Sequence, residues 1–343
     1  MKRKHRRIRS RLFTATLPCL LLLSFAAGCG GEPERNSVMP VRATIGTGAV
    51  TGLYYPAGGA MASIVSRNRD VHGLRLNVES TPGSVYNINA VLAGDLEFGL
   101  AQSDRQCQAW HGLVEWSGKG PQKNLRSVLC LHSEALTLVA SEESGIRSVS
   151  DLAGKSVNIG NPGSGHRQNA IDALEAAGID YAGQMVSFGY QQQQAVDLFL
   201  DGVIDAFFYT VGHPAQTIEN AVNGPIQARF IPIESIQARD DPCAMYVPTS
   251  IPADFYPRAA NGEDIPTFGL QATLITSARV PESIVYTFCR EVYENAGELA
   301  DLHPGLGRIT RGCMVGAQTA PLHEGAARYI RESGMESSAG SDE

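Results

Sequence analysis

Short apolar runs and longer apolar-periodic stretches alternate along this chain, and the pattern predicts strands separated by helices. A strand is expected over 42–46, a loop over 47–52 and a helix over 54–67, with Pro56 near its start, where a missing N–H costs little. A second strand follows at 74–79, a helix from 84 to 92 and a third strand at 98–101. The runs 125–132 and 136–140 read as consecutive strands leading into a second half. That half repeats the scheme: strand 156–160, helix 167–177 closed by Gly178, strand 185–188, helix 191–200, strand 206–209 and a helix around 215–221. Between 232 and 266 Pro and Asp become frequent, which reads as long surface connections. Helices at 281–299 and 321–330 close the pattern, and the tail from Ser333 is polar. Such alternation predicts an α/β architecture of mainly parallel sheets flanked by helices.

The two halves share a signature. Leu92-Ala93-Gly94-Asp95-Leu96-Glu97-Phe98 and, about 110 residues later, Leu200-Asp201-Gly202-Val203-Ile204-Asp205-Ala206-Phe207 each give a helix tail, a Gly turn and an acidic residue opening a buried strand. Upstream lie matching glycine loops, Ile45-Gly46-Thr47-Gly48 and Ile159-Gly160-Asn161-Pro162-Gly163-Ser164-Gly165. This repeat predicts two similar lobes, 41–131 with about 241–335, and 132–240, with a ligand cleft between them. Glu97 and Asp205 are expected to be scaffold rather than ligand contacts.

Three loops have the form strand, small residues, helix. They contribute Thr47, Gly48 and Thr51; Thr81, Gly83 and Ser84; and Gly163, Ser164, Gly165 and His166. Open amides at helix N-termini, with Ser and Thr hydroxyls, suit a carboxylate or phosphate, and glycine lets it approach the backbone. Helix capping alone is the plainer reading of any one loop. Tyr54, Tyr55, Tyr86, Tyr190 and Tyr209 lie at or near these loops, and Tyr54 and Tyr209 are the best candidates to pack on a small solute. Arg167 could pair with a carboxylate. Gln102, Ser103 and Asp104 end a strand facing the cleft, where Asp104 would take an amino group or cap the next helix; Gly212 and His213 end another.

Catalytic chemistry finds no support. Pro162 and His166 stand where a nucleophile elbow around Ser164 needs glycine, and the histidines show no HExxH spacing. Gly46, Gly48 and Gly52 miss the dinucleotide fingerprint by one position, so no cofactor is expected, and the cysteines lack zinc spacing.

The N-terminus changes the setting. Seven Lys and Arg precede the apolar stretch 17–25, then Ala26-Ala27-Gly28-Cys29. Residues 1–28 read as an export signal of lipoprotein type, with Cys29 as the lipidated mature N-terminus and 29–40 as a tether. Ordinary cleavage near Ala27-Gly28 is the alternative. Without 1–28 the chain keeps 21 Lys and Arg against 35 Asp and Glu, a formal charge of −14, which argues against a nucleic-acid partner. No later apolar run spans a membrane. Cys107, Cys130, Cys243, Cys289 and Cys313 allow one or two disulfides and leave at least one thiol over.

Taken together, these segments resemble the TAXI family of TRAP-transporter-associated extracytoplasmic solute receptors. The matching motifs are Ile45-Gly46-Thr47-Gly48 with Gly52-Leu53-Tyr54-Tyr55-Pro56, Thr81-Pro82-Gly83-Ser84 with Asn87, and Phe98-Gly99-Leu100-Ala101-Gln102-Ser103-Asp104. Asn158-Ile159-Gly160 with Gly163-Ser164-Gly165, Asp205-Ala206-Phe207-Phe208 with Gly212-His213-Pro214, and His323-Glu324-Gly325-Ala326 with Arg328-Tyr329 follow in family order. The resemblance implies a two-lobed, type II-like periplasmic-binding-protein fold. It also implies capture of a small anionic solute, glutamate-like or a dicarboxylate, for a TRAP-type permease at the outer face of the membrane. His166 stands where the family commonly has Thr. A lipoprotein that presents its solute to a signalling partner is the alternative function, and a secreted hydrolase built on Ser164 a more distant one. The polar tail is 336–343.

Overall fold

The computed structural model describes residues 39–236, 242–243, 245–307, 309–316 and 318–335. The expected signal at 1–28, Cys29, the tether up to residue 38 and the tail at 336–343 lie outside them.

In the first half, β1 (Val41–Gly46), α1 (Tyr54–Arg67), α2 (Arg69–His72), β2 (Leu74–Glu79), α3 (Ser84–Ala93), β3 (Phe98–Gln102) and α4 (Ser103–His111) follow one another. A long strand, β4 (Leu125–Ser141), leads to β5 (Ser156–Asn158), α5 (His166–Ala176), β6 (Val186–Phe188), α6 (Gln192–Leu200), β7 (Ala206–Val211), α7 (Gln216–Asn223) and β8 (Ala228–Phe230). The chain returns through β9 (Val247–Ile251) and β10 (Ile265–Ser277) to α8 (Glu282–Glu294), α9 (Ala296–Leu302), α10 (Arg311–Val315) and α11 (Glu324–Glu332).

All strands join one curled mixed sheet in the order β2-β1-β3-β10-β4-β7-β5-β6, with β8 on β4 and β9 on β10. The trios β2-β1-β3 and β6-β5-β7 are parallel, while β4 and β10 run antiparallel to their neighbours. β3 and β7 are buried at every position, which explains their unbroken apolar reading; the edge strand β2 alternates at its start.

The two long strands traverse both halves. Val128, Leu129 and Leu131 of β4 pack with Ala272 and Leu274 of β10 in the core beneath α1, α8 and α11. Farther along, Ala135 and Val139 join the core of β7 and α7, and Leu136, Leu138 and Ala140 join that of β5 and α5. The two strands expected at 125–132 and 136–140 are therefore one. The polar triplet His132-Ser133-Glu134 divides the apolar run, yet only Ser133 of the three is exposed. The stretch read as surface connections also holds β9, whose residues are mostly exposed, and the start of β10. Ile251, Tyr256 and Ile265, assigned by sequence to the first lobe, pack in a core of the second half. The helix expected at 281–299 breaks at Asn295 into α8 and α9.

The acidic residues of the repeat do the same work twice. Glu97 Oε2 accepts the Thr44 amide of β1 at 2.7 Å, and Asp205 Oδ2 accepts the Ser156 amide of β5 at 2.8 Å. Each carboxylate thus ties the strand it opens to its parallel neighbour, through a charge-assisted bond.

Candidate ligand site

The ends of β1, β2, β3, β5 and β7 and the start of α6 surround a cavity of about 290 Å³. Loops gather at these carboxyl ends in parallel sheets, so the cavity is where the topology puts a ligand. Its size is at the lower limit of ligand pockets and fits a small metabolite.

Two helix N-termini meet there, one from each half. α3 begins after Gly83 and α5 after Gly165; neither has a side-chain cap or an acidic residue in its first turn. The first amides of a helix lack intrahelical partners and carry partial positive charge, so this pair of ends suits an anion. Glycine is what allows the approach. Gly83 sits at φ +120° and ψ −156°, a region open only to glycine, and a methyl there would lie 3.3 Å from Ser164 Cα. A methyl on Gly165 would strike the Gln102 amide and come within 2.9 Å of Ser84 Oγ. The loops are also bonded to each other: Tyr86 N–H donates to the Gly163 carbonyl at 3.0 Å, and Asn161 Nδ2 to the Pro82 carbonyl at 3.1 Å.

Several polar atoms in the lining are buried without partners: Gln102 Oε1, His166 Nε2, and both Nε2 and Oε1 of Gln192. Such groups are costly unless something satisfies them. His166 packs edge-on against Tyr209, with ring centres 5.3 Å apart. Burial, and then the Arg167 charge, push its pKa down to about 3, so its ring is neutral at physiological pH.

Glu134, from the middle of β4, is the acid in the lining. Its residue is 3% exposed, Oε2 accepts from Tyr54 Oη at 2.9 Å, and burial raises its pKa to about 8. The Tyr54 bond acts in the opposite sense but does not overcome desolvation. No Lys or Arg lines the cavity among the described residues.

Behind the cavity, a buried amide joins the halves. Asn169 of α5 donates to Asp104 Oδ2 at 2.8 Å and Tyr246 Oη at 2.9 Å, and accepts from Gln102 Nε2 at 2.9 Å and Thr210 Oγ1 at 3.0 Å. Tyr246 in turn donates to Asp172 at 2.7 Å, and a Cys107–Cys243 disulfide ties the segment before Tyr246 to α4. Cys130, Cys289 and Cys313 are free thiols.

Of the residues proposed from sequence, Gly48, Tyr54, Thr81, Gly83, Ser84, Gln102, Ser164, Gly165, His166 and Tyr209 line the cavity. The others stand around it. Thr47 donates to the Glu79 carbonyl, Thr51 is bonded to Thr217, and Gly163 holds Tyr86. Ser103 accepts the Gln271 amide, while Asp104 is held by Arg105 and Asn169, so it takes no place in the lining. Arg167 donates to the Gly160 carbonyl and does not face the cavity. Gly212 packs closely on Leu53 and His132, and His213 is bonded between Thr137 and Tyr256 beside a second cavity. Ser164 Oγ donates to the Asn161 carbonyl at 2.7 Å, an arrangement with no base in it. Sequence reasoning passed over Glu134, Gln191, Gln192 and Thr210 in the lining, and Asn169 behind it. Glu134 left a signal, a carboxylate within an apolar strand; the others left none.

Residues 45–334 match the NMT1-like family. The chain belongs to that family. Solved structures show the fold that this member shares. MatC from Rhodopseudomonas palustris, with bound malate, superposes with a TM-score of 0.51 at 14% identity, covering 78% of this chain and 90% of that one. A protein from Bordetella bronchiseptica RB50 gives 0.50 at 14% identity over 85% and 98% of the two chains. The alkanesulfonate-binding protein SsuA from Xanthomonas axonopodis pv. citri, bound to MOPS, gives 0.47 at 14% identity over 86% and 90%. The NMT1-like chain has the α/β periplasmic-binding-protein fold. No described helix is long and apolar enough to cross a membrane.

Proposed function

We propose that this protein is an extracytoplasmic receptor whose halves close on a small carboxylate-bearing solute and deliver it to a membrane permease. The observation that carries the reading is the meeting of two helix N-termini without side-chain caps, from opposite halves, at one cavity lined by the unpartnered polar atoms Gln102 Oε1, His166 Nε2, and Gln192 Nε2 and Oε1. Helix ends supply the partial positive charge for a carboxylate without a lining cation. MatC, which has the same fold, holds malate. The motif set favours the TAXI group and hence a TRAP-type permease, with Cys29 as the lipid anchor.

Thermal denaturation with glutamate, glutamine, malate and glutarate tests the reading. A solute at 100 times its Kd adds about 2.7 kcal/mol, or roughly 5 °C in Tm for a chain of this size. Gly165→Ala locates the site. Gly165 has φ −76°, so alanine is not strained, but its methyl pushes Gln102 out of position. Affinity should fall about tenfold or more, and the displaced Gln102 also loses its bond to Asn169, so circular dichroism checks that the variant stays folded. If none of these or related small carboxylates shifts the Tm of folded protein, the proposal is wrong.

A further inference from the structure

Resting on the receptor reading, we propose that Glu134 sets the solute class: its carboxylate receives a protonated amine, so the solute is an amino acid rather than a dicarboxylate. The carboxyl stands buried in the cavity wall, and among the described residues no cation answers it. The near arginines are engaged elsewhere: Arg105 lies on Asp104 and Glu115, and Arg167 on the Gly160 carbonyl. A neutral amide would serve as well to accept the Tyr54 hydroxyl, so that bond alone gives no reason for an acid there. To ionise there the carboxyl needs a partner charge, and since none comes from the described residues, the solute is left to bring it. The cavity then has two poles. The helix ends after Gly83 and Gly165 take a carboxylate, and Glu134 takes the ammonium. A dicarboxylate brings no positive charge to the second pole, so it could meet Glu134 only in its protonated form and without proton release.

Proton release is a second consequence. With its pKa near 8 in the unliganded protein, Glu134 is mostly protonated at neutral pH, and it must ionise to hold an ammonium. Binding then releases about 0.9 proton at pH 7, and affinity rises up to tenfold per pH unit until about pH 8. The tyrosines and histidines facing it do not titrate in that window. Tyr54 and Tyr209 are raised by burial; His166, and His132 on its own strand, are pushed to about 3. Asp104 is paired with Arg105.

Calorimetry with matched probes decides it: L-glutamate against glutarate, L-aspartate against succinate, and L-glutamine against glutaramate, at pH 6, 7 and 8, in buffers of different ionisation enthalpy. We expect at least one amino acid to bind at least 100-fold tighter than its amine-free partner, with proton release. Glu134→Gln should abolish that release and cost the amine-bearing probe about 100-fold, while the protein stays folded by circular dichroism. Equal binding of both members of a pair, or amine binding without proton release, overturns the assignment. If amine-free acids alone bind, the carboxylate receptor stands and the role of Glu134 falls; if no probe binds, both fall.

Discussion

Asn169 offers the sharpest test of how the two halves are held together. Asn169→Ala removes four hydrogen bonds made by one fully buried amide. The partners do not suffer equally. Asp104 keeps Arg105 at 3.1 Å, and Tyr246 keeps Asp172 at 2.7 Å. Gln102 Nε2 and Thr210 Oγ1 have no other bond among the described residues, so two buried donors are stranded. Each costs about 1–3 kcal/mol, giving roughly 2–6 kcal/mol against the closed arrangement. Because the stranded donors sit on opposite halves, parting the halves returns both to water and relieves the penalty. The loss should therefore appear as opening rather than as global unfolding. On the receptor reading, solute affinity falls by about 30- to 20,000-fold, since each 1.4 kcal/mol is a factor of ten. Small-angle scattering of the unliganded variant should show a larger radius of gyration than wild type. A variant that scatters like wild type and binds within threefold of it would refute the reasoning.

Two further outcomes follow from the disulfide and from buried titratable groups. The Cys107–Cys243 bridge spans a separation of 136 residues, so replacing both cysteines with serine should cost about 2–4 kcal/mol in urea denaturation. Reductant should then destabilise wild type but leave the double variant unmoved. The pH dependence has opposing parts. His132, His166 and His213 have folded pKa values near 3, against about 6.5 unfolded, so their contribution is lost as pH falls below 6.5. From pH 7 to 5.5 the three together cost about 4 kcal/mol. Glu134 is raised to about 8, so its burial penalty shrinks over the same interval and returns about 2 kcal/mol. Wild type should lose about 2 kcal/mol between those pH values and Glu134→Gln about 4 kcal/mol; equal losses would contradict a raised Glu134.

What the sequence revealed is what local chemistry dictates. The helix at 54–67 and the strand at 74–79 were readable to the residue, because the apolar positions that write them also build the core. The glycine loops were readable too, since a turn at φ +120° admits nothing but glycine and marks a close approach. The strands β8, β9 and β10 were hidden. β8 spans three residues, β9 is exposed along most of its length, and β9 and β10 carry Pro248 and Pro266. Their pairing is decided by partners distant in sequence.

The site divides along the same line. Residues in the glycine loops were found because backbone geometry constrains their type. Asn169 and Gln192 were not, because helical polar residues look alike whether they face water or a neighbouring half. Glu134 lies between these cases. Its cost is legible from sequence alone, as a carboxylate inside an apolar strand, but its purpose is not. Glu97 and Asp205 show why: they too are acids beside buried strands, yet each accepts a backbone amide and is answered within the protein. Among the described residues Glu134 has only the Tyr54 hydroxyl, and no cation. Glu97 and Asp205 are also half-buried, where water helps to carry the charge, whereas Glu134 is buried. The difference between a scaffold acid and a ligand-binding acid here is therefore burial without a countercharge, which the proposed solute supplies.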